Sequence, residues 1–469
     1  MTTECNQHSF EFHSLNQRKV IARFDGGNIT SDAGILLLRE VERRTGLIGA
    51  LAQCFRDYRD VRWVEHTVEE LLGQRLFGMC LGYEDLIDHD QLRADPMLAV
   101  AVNKADPLGM NRLREEDRGK ALAGKSTLNR LELGKAGEID KYKKILMQES
   151  EIDAWIVRAF IDAHPAAPEE IVLDLDATDD LIHGNQEGRF FHGYYGNYCY
   201  LPLYIFSGEH LLCAQLRRSN IDGAEGAVEE LTRIVTQIRQ TWSEVKIILR
   251  ADSGFCRDDL MSWCEANEIH YVLGLAKNER LKKEIAEETQ QAEALFNQTK
   301  QPARVFKDFR YQTLNSWSRE RRVIGKAEWM EKGANPRFVV TSLPPERMDA
   351  RAAYEDFYCA RGDMENRIKE QQLDMFADRT SAATMRANQL RLYLSSAAYI
   401  LMHALRRLGL KNTDLARAQC QTIRLKLLKI GAQVRVTVRN IWISLAGGYP
   451  YVDTFAAVVA NLQALPLRC

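Results

Sequence analysis

Between residues 171 and 276 the apolar pattern of the chain changes from a helical period to a strand period, and the order of the runs restricts the fold sharply. IVLDLD, CYLPLYIF and HLLCAQLRR come first, each of strand length and rich in β-branched, leucine or aromatic residues. AVEELTRIVTQIRQTW, VKIILRAD, RDDLMSWCEANE and HYVLGLA follow, which reads as helix, strand, helix, strand. Three consecutive strands leave no room for crossover helices between them, whereas the later strands have them.

That order predicts an α/β core of the ribonuclease-H-like kind, built on a mixed five-stranded sheet. The chain around it divides by periodicity. Residues 1–165 are expected to be a mainly helical, DNA-binding region: a short strand, KVIARF, stops at Gly26 and Gly27, and Ser31 or Asp32 caps the segment AGILLLREVERR. Residues 166–276 form the first part of the core. Residues 277–343 hold a charged helix and then three strand-like runs, RVFKDFRYQTL, RERRVIGKAEW and RFVVTSL, which predict a β-rich insertion. Residues 344–383 return to a core helix, and residues 384–469 are expected to be a basic helical region.

With 469 residues, 45% of them hydrophobic and 27% charged, the chain has material for two or three globular domains. Its ten cysteines form no C-x-x-C pair, so neither a zinc ribbon nor a disulfide framework is indicated, and a reduced, cytoplasmic setting is expected. No signal peptide or membrane span is read in the sequence. The net charge of -2 conceals an asymmetry: from Arg379 to Arg439 twelve Lys or Arg face one acid, Asp414, a local charge of +11. Such a field attracts polyanions, nucleic acid above all, although a solvated basic helix face has the same composition. Arg406, Arg407 and Lys411 are its candidate phosphate contacts.

The stretch IVLDLDATDD, residues 171–180, places Asp174 and Asp176 inside an apolar strand. An unpaired ionised carboxylate there costs several kcal/mol (~), so a compensating charge is required. Alternation sets both on one face, with Asp176 at the strand end where α/β sheets present functional groups. VKIILRAD ends likewise at Asp252, before Ser253, Gly254 and Phe255. Each aspartate alone is also an ordinary turn or helix-capping residue. A third carboxylate lies in YCARGDMENRIKEQQLDMF: Tyr358, Arg361, Glu365, Lys369 and Gln372 form one polar stripe at helical spacing, beside an apolar one. A helix lying on the sheet can bring Glu365 over the ends of the first and fourth strands.

The sequences DAT at 176–178 and DSGF at 252–255, and the spacing of Tyr358, Arg361 and Glu365, resemble the signatures of DDE transposases of bacterial insertion sequences, in the cut-and-paste group marked by a Tyr-Arg-Glu-Lys helix. FDGGNITSDAGILLLRE and GNQEGRFFHGYYGNYCYLPL are similar to one branch of that group. One position departs: the family lysine seven residues after the glutamate is Gln372 here, with Lys369 one turn earlier. The resemblance implies Asp176, Asp252 and Glu365 as catalytic metal ligands, with Asp174 as the alternative to Asp176. It also implies phosphate contacts from Tyr358 and Arg361, second-strand cleavage through a DNA hairpin, and a homodimer that synapses two ends near the bacterial nucleoid.

Hydrolysis followed by strand transfer is an in-line displacement at phosphorus, which two divalent ions about 4 Å apart can serve. Hard carboxylate ligands suit Mg2+, with Mn2+ as a substitute. The expected function is binding of terminal inverted repeats, cleavage of the DNA ends and transfer of the 3′-hydroxyls to target DNA. A structure-specific nuclease of the same fold and an inactive transposase-derived DNA-binding protein are the alternatives. GKALAGKS, residues 119–126, satisfies the phosphate-loop pattern through Gly119, Gly124, Lys125 and Ser126, but no apolar strand precedes it, and no ATP requirement is expected. KSTLNRLELG suits the second helix of a helix-turn-helix better, with Ser126, Thr127, Asn129 and Arg130 toward DNA. The loop HGNQEGRFFHGYYGNY offers aromatics either to an unpaired base or to a β-hairpin's own packing.

Overall fold

The computed structural model describes residues 9–134 and 143–467. Cys5 and Cys469 lie outside them, and the eight described cysteines are all free. Among the described residues no helix is long and apolar enough to cross a membrane. The chain divides into two compact units, one of residues 149–396 and one of residues 1–148 with 397–469.

The first of these is built on one sheet. Its strands are β1 (Glu170–Ala177), β2 (Leu203–Ser207), β3 (His210–Gln215), β4 (Lys246–Ala251), β5 (His270–Leu275), β6 (Ala303–Tyr311), β7 (Arg321–Met330) and β8 (Arg337–Thr341). The order across the sheet is β3-β2-β1-β4-β5-β8-β7-β6, with the two-residue strand Gly333–Ala334 paired to β7. Strands β1, β4 and β5 run parallel, and β2 is antiparallel to β1 and β3. The three strand-like runs of the expected insertion do not stand apart from the core: β8 joins β5 antiparallel and the sheet continues outward. Pairing there satisfies an edge of β5 that would otherwise expose its backbone groups.

Alternation divides the core strands between two faces. Ile171, Leu173 and Leu175 of β1 and Ile247, Leu249 and Ala251 of β4 pack with Leu231, Ile234 and Ile238 of helix α1 (Ala227–Thr241) and Leu260 and Cys264 of helix α2 (Asp258–Ala266). On the opposite face Ile248, Val272, Ile324 and Val339 pack with Ala353 and Tyr354, flanked by Phe357 and Tyr358. The helical segment after β8 therefore lies on the face that also carries Asp174, Asp176 and Arg250. That segment is not the uniform helix its spacing predicts. A wide π turn, Ala353–Tyr358, and a tight 3-10 turn, Cys359–Arg361, precede the α-helical stretch Gly362–Lys369, and a second π turn, Glu370–Asp374, closes it. Departures of this kind re-aim side chains and cluster at functional sites.

The second unit opens on a hairpin of Phe10–Leu15 with Arg18–Ala22 and continues into helices such as Ile35–Thr45 and Val68–Leu81, the latter held by a Thr67–Glu70 capping box. Neither Ser31 nor Asp32 caps the helix Ile35–Thr45; it starts from Gly34. A Cβ on Gly34 would lie 1.8 Å from the Leu427 carbonyl oxygen, so the close backbone approach in which Gly34 N–H donates to Leu428 O (3.1 Å) requires glycine. Asp32 is buried and instead accepts from Tyr83 Oη (2.8 Å) and pairs with Lys429 Nζ (2.7 Å). The expected helical character of residues 384–469 fails over Ala432–Val436 and Ile441–Leu445, which pair antiparallel and extend to Ile29–Thr30. Ala432 and Val434 point inward and Gln433 and Arg435 outward, a period of two.

Candidate active site

The parallel register pairs Arg250 with Asp174 and Ala251 with Leu175, so Asp252, the next residue, follows β4 beside Asp176 at the end of β1. The inner pair is closed. Arg250 donates from Nε to Asp174 Oδ1 (2.5 Å) and from Nη2 to Oδ2 (2.8 Å), and its Nη1 donates to the Phe357 carbonyl (2.5 Å). Burial pushes the Asp174 carboxyl up and the Arg250 charge opposes this. Arg250 thus ties β1, β4 and the helical segment together. The sequence signal was present: an arginine in an apolar strand, two residues before Asp252 and on its face.

At the outer end Arg361 replaces Arg250. Its Nη1 lies 3.6 Å from Asp176 Oδ2 and its Nη2 donates to Glu365 Oε1 at 2.8 Å, one helical turn on. Glu365 keeps 44% of its side-chain surface exposed, against 17% for Asp176 and Arg361. Asp252 turns back on its own loop and accepts from Gly254 N–H (2.8 Å). Tyr358 lies beside Arg361 and Asp252. Burial raises its phenol, opposed by Arg361 and reinforced by Asp252. A Cβ at Gly274 would meet the Tyr358 hydroxyl at 2.5 Å and the Ser253 nitrogen at 2.8 Å. A glycine inside the apolar run HYVLGLA is therefore a positioning residue that the sequence reading passed over, although such a glycine is a known mark of close approach.

Burial first, and then the charges of Asp252 and Glu365, push the Asp176 carboxyl up to about 7, against the pull of Arg361. Asp176, Asp252 and Glu365 are thus within one another's fields, with Arg361 as their cation. Three carboxylates against one guanidinium leave the site short of positive charge, and hard oxygen donors are the kind that divalent Mg2+ or Mn2+ takes. The residues fit such ions in chemistry. Among the described residues, however, no three His, Cys, Asp or Glu side chains converge as a ready metal cage. Arg361 stands between two of the donors.

A family model, Transposase DDE domain group 1, matches residues 12–467. The chain belongs to the DDE transposase family. No curated protein matches it. Among solved structures, one similar chain is the piggyBac transposase in a synaptic complex with hairpin DNA, at 11% identity and a TM-score of 0.38, covering 85% of this chain and 80% of that one. DDE transposases are DNA-cutting enzymes that generally use divalent metals.

The remaining site candidates of the transposase separate. Lys369 is exposed, and Gln372, in the family lysine position, donates from Nε2 to the Asp179 carbonyl (3.2 Å) in the loop after β1. Asp180 belongs to another setting: it is buried and accepts from Thr380 Oγ1 at 2.8 Å. The aromatic loop forms a small sheet of Asp180–Leu181, Asn197–Tyr200 and Phe190–His192. Tyr195 donates to the Ala177 carbonyl (3.3 Å) beside Asp176, and Tyr194 at the tip is 87% exposed.

The basic C-terminal segment is less free than its composition suggests. Arg406 is buried and donates from Nε to the Ala418 carbonyl (2.9 Å), because an arginine near a helix end folds back onto the carbonyls of the following loop. The structure removes it from any phosphate-binding surface, and Arg424 likewise caps the carbonyls of Cys80 and Met79. Arg407 is half-buried, and Lys411 is exposed. The phosphate-loop pattern does not form a cradle: Lys125 N–H and Nζ both engage the Asp90 carboxylate (3.0 and 3.2 Å), which fills the anion position at the start of helix Lys125–Glu132. Ser126, Asn129 and Arg130 are exposed on that helix, and Ser126, Thr127 and Arg130 line a cavity of ≈ 700 Å³ together with Trp63 and Arg93.

Proposed function

We propose that the protein is a cut-and-paste transposase of an insertion sequence, whose core is ribonuclease-H-like and whose chemistry is metal-dependent cleavage and joining of DNA ends. The observation that carries this reading is the placement of Asp176 and Asp252 at the ends of two adjacent parallel strands, with Glu365 on the facing helix linked to Asp176 through Arg361. The order β3-β2-β1-β4-β5, with β2 alone reversed, supports the ribonuclease-H-like core. Asp174 is bound on both oxygens by Arg250, which favours Asp176 as the ligand.

In this reading Asp176, Asp252 and Glu365 would hold two Mg2+ ions. Such ions would supply Lewis-acid stabilisation of the attacking and leaving oxygens of the phosphodiester. Tyr358 and Arg361 orient the scissile phosphate, the guanidinium by its paired donors and the phenol from its seat against Gly274. Lys369 reaches the neighbouring backbone in place of the missing family lysine. The exposed Tyr194 offers a face to an unpaired base beside the cut, where a DNA hairpin would release one. Ser126, Asn129 and Arg130 contact terminal-repeat DNA, Arg407 and Lys411 contribute to its backbone affinity, and a homodimer brings two ends together.

The test is incubation of the protein with Mg2+, a labelled duplex carrying the element's end and a target plasmid. Joined product supports the proposal. Cleavage without joining assigns a nuclease, and a shifted band without cleavage assigns a DNA-binding descendant.

A further inference from the structure

The two arginines on the carboxylate face hold their partners differently. Arg250 grips Asp174 with both oxygens engaged in buried bonds and makes a third, partly buried bond to a backbone carbonyl. Arg361 touches Asp176 through one long contact of 3.6 Å and Glu365 through one bond, and its partner Glu365 is nearly half exposed. The first arrangement cannot be undone without unpairing a buried charge. The second can. Arg361 also sits at the junction of a 3-10 turn with an α-helix, where the backbone spacing is already irregular.

We propose that Arg361 is the exchangeable counter-ion of this site. In the DNA-free protein its guanidinium takes the position between Asp176 and Glu365 that a divalent cation requires, and the carboxylates become available when a DNA phosphate draws it away. The inference rests on the carboxylate site proposed above and adds an order of events. A guanidinium and a divalent cation at neighbouring positions repel, so both do not share the carboxylates at full strength. A phosphate gives the guanidinium a two-oxygen partner of matching geometry, so its departure leaves no unpaired charge. Metal loading is thereby tied to the presence of substrate, which spares the free enzyme from holding loaded metal without DNA. Tyr358, packed beside Arg361 and against Gly274, limits where the guanidinium goes when it leaves.

The experiment measures Mn2+ affinity of the full chain by the electron paramagnetic resonance signal of free Mn2+, without any turnover. Without DNA, Arg361→Gln should bind Mn2+ at least about tenfold more tightly than the natural protein, because a competing positive charge is gone. Arg361→Lys keeps the charge and should stay within about threefold of it. In the natural protein, an end duplex should raise Mn2+ affinity, and the same duplex with a neutral methylphosphonate at the cleaved position should not. Phosphate oxygens also bind Mn2+ directly, so the duplex-induced rise should in addition be smaller in Arg361→Gln, or in Arg361→Met where Arg361→Gln folds poorly, than in the natural protein. Equal or weaker Mn2+ binding by a folded Arg361→Gln, or an equal rise with both duplexes, overturns the inference, provided Asp176→Asn abolishes binding. Undiminished Mn2+ binding by Asp176→Asn overturns instead the carboxylate site on which the inference rests.

Discussion

The inner and outer ends of one strand face carry the same chemical pair, an aspartate and an arginine, in opposite conditions. Asp174 and Arg250 are buried and satisfied by three hydrogen bonds of 2.5 to 2.8 Å. Asp176 and Arg361 are partly open, loosely matched at 3.6 Å, and share their field with two more carboxylates. The difference teaches that a charged residue in an apolar strand has two meanings, separated by whether its partner exhausts its hydrogen-bonding capacity. The inner pair builds the sheet and anchors the helical segment. The outer one meets its cation loosely and stays partly open.

The largest test of that contrast is catalytic. Asp176→Asn, Asp252→Asn and Glu365→Gln should each lower cleavage of an end duplex by roughly 10³-fold or more, since each removes a charge that would hold a metal worth several kcal/mol in the transition state. DNA binding in a gel-shift assay should change little. Loss of binding in all three would move the carboxylates from chemistry to folding and erase the distinction between the two ends.

Next comes stability at the inner end. Arg250→Met leaves Asp174 buried without its partner and frees the Phe357 carbonyl, and should cost about 3–5 kcal/mol in chemical denaturation. Combining it with Asp174→Leu should recover most of that loss, because no charge then remains unpaired. A double variant no better than the single one would show that the pair does more than neutralise itself.

The outer end should behave in the opposite sense. The Asp176 carboxyl lies at about 7 in the folded, metal-free protein against an ordinary 3.8. Between those values the folded state keeps a proton that the unfolded state has lost, so this group's contribution to stability is lost as pH rises from about 4 to about 7. Asp176→Asn should therefore be more stable than the natural protein at pH 8, by roughly 1–4 kcal/mol, and the gain should vanish near pH 4. Thermal unfolding across that range, in the presence of a chelator, measures it. A variant that is less stable at pH 8 would place Asp176 with Asp174 as a structural residue.

Much of this was legible beforehand. The α/β character of the core followed from strand length and order, and the face shared by Asp174, Asp176 and Arg250 follows from a period of two in IVLDLD and VKIILRAD. What the sequence did not reveal is pairing across distance: Arg361 and Arg250 are equally plausible partners for either aspartate until the register is known. The π and 3-10 turns at 353–361 were invisible because a helical stripe is read on the assumption of an even 3.6 residues per turn. The basic C-terminal count overstates the free charge for a related reason. Arg406 and Arg424 are spent on backbone carbonyls, and composition cannot distinguish a capping arginine from a solvated one.

A smaller effect should appear at Gly274. A methyl group there meets the Tyr358 hydroxyl and the loop after Asp252, so Gly274→Ala should reduce cleavage about tenfold by misplacing both, with little change in DNA affinity. Shortening the opposing side chain, in Gly274→Ala with Tyr358→Phe, should relieve part of the crowding but not restore the lost hydroxyl. Full activity in the single variant would mean that Tyr358 has no fixed seat.

The most direct measurement of the central claim, that the outer aspartate holds a metal and the inner one does not, is cleavage of a labelled end duplex by Asp176→Cys in Mg2+ and in Mn2+. A sulfur ligand disfavours hard Mg2+ and is better tolerated by Mn2+. The account predicts no product in Mg2+ and restored cleavage in Mn2+ for Asp176→Cys, and no such switch for Asp174→Cys. Equal cleavage by Asp176→Cys in both metals, or a metal switch that appears at position 174 instead, would contradict it.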